Sequence, residues 1–82
     1  MSDFTKALEY YFQARKIYEE AGDKSKIAMM YTNIGIVMKE RMDFAEAAAY
    51  YRNALNIYQE LHDKFGVAAC YANLGSSLFL CT

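Results

Sequence analysis

The side chains that could carry chemistry are few in this sequence, and their spacing keeps them apart. His62 is the single histidine, Cys70 and Cys81 stand eleven residues apart, and neither cysteine belongs to a CxxC pair or has a histidine beside it. A zinc or thiol-redox centre needs its donors to converge, so both cysteines read as reduced thiols in a core or on a surface. No Ser-His-acid or Cys-His set shares one face, and no glycine-rich loop is available to cradle a phosphate. Glu19, Glu20 and Asp23, with Lys16 and Lys24 nearby, read as a solvated charged face and not as acid–base machinery. The expectation is a chain that is not an enzyme, with no catalytic residue, no metal and no cofactor.

The whole-chain features remove further classes. A formal charge of −1 spread over interspersed acids and bases provides no basic run for nucleic acid or for an anionic membrane surface. The N-terminus, Met1 to Lys6, shows no basic segment leading into an apolar one, so no secretory signal is read and the default compartment is cytoplasmic. Residues 65–82 carry no charge, but Gly66, Asn73, Gly75, Ser76 and Ser77 interrupt the run, and a docked helix explains it better than a membrane span. At 82 residues the chain is one domain, 1–82, of marginal stability unless another chain covers part of it.

The elements that would position any site come from an internal repeat. Shifting the chain by forty residues places Asp3-Phe4 on Asp43-Phe44, Ala7 on Ala47, Tyr10-Tyr11 on Tyr50-Tyr51, Ala14 on Ala54 and Ile17-Tyr18 on Ile57-Tyr58. The match runs on through Glu20 and Glu60, Asp23-Lys24 and Asp63-Lys64, Ala28 and Ala68, Tyr31 and Tyr71, Asn33 and Asn73, and Gly35 and Gly75. Within each unit apolar residues step by three or four, as in Phe4, Ala7, Tyr11, Ala14 and Ile17, which is helical spacing. Asp3, Asp23, Asp43 and Asp63 stand at helix starts, and Asp43 with Glu46 reads as a capping box. Gly22, with His62 in the equivalent slot, is placed to end a helix in a left-handed turn. Four helices follow, near 4–21, 25–41, 44–61 and 65–80, and their short turns force antiparallel neighbours: an all-α chain of helix-pair repeats.

Tyr31-x2-Ile34-Gly35-x2-Met38 followed by Ala47-x3-Tyr51 resembles the tetratricopeptide repeat, and Asn33-Ile34-Gly35 and Asn73-Leu74-Gly75 are similar to its longer Asn-Leu-Gly variant. The resemblance implies an αα superhelix whose first helix, A, carries Asn-Leu-Gly and whose second, B, carries Ala-x3-aromatic. This chain then runs B-A-B-A, with one complete repeat at 25–61 and a half repeat on each side. Gly35, Ala47 and Ala54 are expected where paired helices touch, with tyrosines filling the gaps between pairs. Gly75 is expected to have a packing reason, since glycine in a helix costs about 1 kcal/mol relative to alanine. Met42 stands where the family usually has glycine, so the turn is expected to be reshaped.

The resemblance implies a protein or peptide partner held in a concave groove of A helices. Carried over by position, the groove is Met29, Thr32, Asn33, Ile36 and Lys39 on one helix and Ala69, Ala72, Asn73, Ser76 and Phe79 on the next. An Asn amide both donates and accepts, so Asn33 and Asn73 suit a ligand's backbone whatever its sequence. The alternative is self-association into a homodimer or higher oligomer through the open ends, with Leu74, Leu78, Phe79 and Leu80 as the interface.

Overall fold

The computed structural model describes the backbone of residues 4–81 and the side chains of residues 4–75. Four helices, α1 (Phe4–Ala21), α2 (Lys24–Glu40), α3 (Phe44–Glu60) and α4 (Lys64–Cys81), pack as antiparallel neighbours, each chiefly against the next in sequence. The predicted boundaries differ from these by a single residue at several ends. Asp3 lies outside the described residues, so its capping role does not enter the structure.

The three connections are one turn built three times. Gly22, Met42 and His62 take φ values of 72°, 68° and 57°, the left-handed region that only glycine enters freely. In each turn this residue's N–H donates to the carbonyl three positions back, and the next N–H donates to the carbonyl five back. At Met42 these bonds run to Lys39 (2.9 Å) and from Asp43 to Met38 (2.8 Å); at Gly22 and His62 the matching bonds are 2.9–3.1 Å. The turn at Met42 is therefore not reshaped, contrary to the expectation from its side chain. Its paired carbonyls hold the backbone where methionine alone would not go.

The capping box at Asp43 is also absent. Asp43 precedes α3 but makes no side-chain cap bond, because its Oδ2 lies 3.3 Å from Arg41 Nε. A cation two residues upstream holds the carboxylate that the helix N-terminus would otherwise use. Asp23 and Asp63 have no such neighbour and do cap: their Oδ1 atoms accept from the N–H groups of Lys26 (3.2 Å) and Gly66 (3.0 Å).

The core lies between α2 and α3 and extends to both outer helices. Ile34, Val37 and Met38 from α2 meet Ala47, Ala48 and Tyr51 from α3, with Leu8 and Leu74 closing the cluster. A smaller cluster joins Ala28, Ala54 and Cys70, all fully buried, and so ties α2, α3 and α4 together. On the other side Arg15 of α1 lies 5.7 Å from the centre of the Tyr31 ring and 5.4 Å from that of Phe12, a cation–π contact that seats α1 on α2.

Candidate functional site

Two glycine notches set how closely the helices approach. A Cβ on Gly35 would fall 2.6 Å from Cε1 of Tyr51, whose side chain is fully buried, so the tyrosine ring lies flush on the α2 backbone. Tyr51 thus works inside the helix pair and does not fill a gap between pairs. A Cβ on Gly66 would likewise run into the Tyr58 ring, where α3 meets α4. Gly75 differs from both: among the described residues nothing stands within 4 Å of the place its Cβ would take, so they supply no packing reason for it.

Burial shapes the electrostatics of these contacts. Burial first, then the nearby Glu40 carboxylate, pushes the Tyr51 hydroxyl above its ordinary pKa, and that oxygen has no hydrogen-bond partner among the described residues. Burial also raises Cys70 and Tyr58, while hydrogen bonding to Thr32 works in the opposite direction for each. The Thr32 hydroxyl itself donates to the Ala28 carbonyl at 3.0 Å. A protonated, fully buried thiol is chemically quiet, and among the described residues no group of three or more His, Cys, Asp or Glu converges to hold a metal ion. None of the described helices is long and apolar enough to cross a membrane.

The predicted groove residues are distributed as follows. Met29, Ala69 and Ala72 are exposed, and Thr32, Asn33, Ile36, Lys39 and Asn73 are half-buried. Ile36 also packs against the core, and Thr32 sits close to Tyr58 and Cys70. The amides of Asn33 and Asn73 have no hydrogen-bond partner among the described residues. The side chains of Ser76, Leu78, Phe79 and Leu80 lie outside the described residues. Leu74, expected at a self-association surface, is 9% exposed and belongs to the core cluster of its own chain.

The open ends expected from the repeat framing are lined by residues that the sequence reading did not name as an interface. On α4 an apolar hollow of about 420 Å³ runs over Val67, Ala68 and Tyr71 beside the α3–α4 turn, and Phe65 nearby is 89% exposed. On α1 a second hollow of about 290 Å³ lies along Tyr10, Tyr11, Ala14, Ile17 and Tyr18. The signal for both was in the repeat itself, since the same residue types forty positions away are covered. Both faces are apolar stripes, and among the described residues neither brings together a reacting pair.

A family model described as tetratricopeptide repeat matches residues 26–80, which takes in nearly all of α2, all of α3 and most of α4. Neither a curated protein nor a solved structure matches the chain.

Proposed function

The chain belongs to the tetratricopeptide repeat family, whose repeats are protein–protein interaction modules, and from that premise we propose that it binds an extended segment of a partner protein across α2 and α4. In this reading α2 and α4 are A helices, α1 and α3 are B helices, 25–61 is the complete repeat, and the forty-residue period belongs to the Asn-Leu-Gly variant. The observation that carries it is the pair Asn33 and Asn73: one repeat apart, on helices joined through Ala28 and Cys70, half-buried, and with amide donors and acceptors unspent among the described residues. Neither amide is spent on a bond among the described residues or sealed from water, so a ligand backbone can pair with both without breaking an internal hydrogen bond. Met29, Ala69 and Ala72 supply exposed apolar surface on the same helices. With Lys39 the single charged side chain among the expected groove positions, the ligand is selected by extended shape and small apolar side chains more than by charge.

The test is selection of peptides from a displayed random library on the unaltered chain, followed by titration against the variant combining Asn33→Ala with Asn73→Ala. A loss of about tenfold in affinity is expected, the size of one to two hydrogen bonds. Unchanged affinity for every selected peptide would overturn the groove.

A second reading, self-assembly, is favoured by a separate observation: both outer helices present open apolar faces. The two readings are compatible, since stacked copies would lengthen the row of A helices.

A further inference from the structure

We infer that the open face of α4 seats the α1 helix of a second copy, repeating between molecules the contact that α3 makes with α2 within one. This rests on the self-assembly reading and supplies its geometry. The closed contact is the template. In it Ala28 and Ala54 are both fully buried, the Tyr31 and Tyr50 rings stand 6.1 Å apart, Tyr51 fills the notch at Gly35, and Lys24 Nζ meets Glu60 Oε1 at 2.8 Å.

Moved by one repeat, each half of that contact falls on an open face with the same residue at each of these positions. On α4 the residues are Lys64, Ala68, Tyr71 and Gly75, in place of Lys24, Ala28, Tyr31 and Gly35. On α1 they are Tyr10, Tyr11, Ala14 and Glu20, in place of Tyr50, Tyr51, Ala54 and Glu60. Ala68, Tyr71 and Gly75 are exposed where their counterparts are buried or half-buried, and the hollow on α4 lies along this stripe. The hollow on α1 runs along Tyr10, Tyr11 and Ala14. The two hollows are thus the two halves of a contact the chain already makes once.

Charge agrees with shape. Glu20 and Lys64 are both exposed, and neither has an ion-pair partner among the described residues. In the docked pair they would stand where Glu60 and Lys24 stand within the molecule. The contact joins two different surfaces, so it does not close at a dimer; it continues head to tail into a ring or an open superhelix.

Gly75→Ala tests this seating with little risk to the fold. Its Cβ meets nothing among the described residues of its own chain, whereas in the docked pair it would press on the neighbour's Tyr11 ring as a Cβ on Gly35 would press on Tyr51. Sedimentation over a concentration series should show the unaltered chain growing past a dimer, and the variant associating about tenfold more weakly or worse. Its melting temperature at low concentration should be no lower. Independently, Lys64→Glu and Glu20→Lys should each weaken association by roughly threefold or more, and the two changes in one chain should restore it. Oligomers indifferent to all of these changes would overturn the head-to-tail seating while leaving self-assembly standing. A monomer at every concentration would overturn both and assign the α4 face to a helix from outside this chain.

Discussion

Helices α2 and α4 carry nearly the same stripe, and their surroundings differ. Ala28 is fully buried against α3, and its counterpart Ala68 is exposed; Tyr31 is half-buried between Arg15 and Tyr50, while Tyr71 is 56% exposed; Gly35 holds a tyrosine ring, and Gly75 holds nothing. In a repeat protein burial belongs to the contact and not to the residue, because each helix hides its face only on a neighbour. The same glycine therefore has opposite meanings forty positions apart. At Gly35 it admits a ring, and at Gly75 it leaves a helix interior weaker with nothing among the described residues to offset the cost.

The largest break in this comparison comes from the ring. Tyr51→Ala should cost about 3–5 kcal/mol in urea denaturation, as expected for emptying a fully buried aromatic site. Tyr11→Ala, at the half-buried equivalent position on α1, should cost no more than about half as much. Equal losses would mean that the α1 face is as well covered as that of α3.

The glycines come next and should differ in sign. Gly35→Ala should destabilise by about 1–2 kcal/mol, since overpacking against Tyr51 outweighs the helix-propensity gain. Gly75→Ala should stabilise the monomer by up to about 1 kcal/mol, read as a higher thermal midpoint. A stabilising Gly35→Ala would show that the Tyr51 ring can move aside.

Met42→Gly should stabilise by about 1 kcal/mol by removing left-handed strain from a turn whose hydrogen bonds stay in place. A loss of stability there would show that glycine's freedom in the unfolded chain outweighs that strain.

The smallest effect is a pH dependence on the closed side of α4. The folded Cys70 pKa is raised above its ordinary 9.0, so the folded state holds its proton more tightly than the unfolded one. That contribution is fully present below pH 9.0 and is lost as pH rises through the folded value. The urea midpoint should stay flat with respect to this group up to about pH 9 and then fall, and Cys70→Ala should remove the earliest part of the fall. Tyr51 and Tyr58, raised from 10.0, act in the same direction at higher pH.

The helices, their order and the turn at Gly22 were legible in the sequence because spacing, caps and the forty-residue repeat all pointed the same way. Gly66 was not, because its reason is the Tyr58 ring on another helix, which no local pattern records. The burial of Leu74 was not legible either, because residues 65–82 carry no charge and composition could not say which side of the helix faces α3. Met42 and Asp43 misled for a shared reason: single-residue preference yielded to neighbouring groups, paired carbonyls in one case and Arg41 in the other. At the candidate site the repeat located Asn33 and Asn73 on matching helices, while the open face over Val67, Ala68 and Tyr71 became visible only beside its covered twin.

The serial packing of the helices has a kinetic consequence. Substantial contacts join only helices that follow one another in the chain, so no step of folding has to bring distant segments together. Nucleation is favoured at α2 and α3, which share the largest contact, and growth then proceeds outward in both directions like a zipper. Amide hydrogens should accordingly exchange slowest in these middle helices and progressively faster toward the ends, with α1 and α4 opening and reclosing while the centre stays shut.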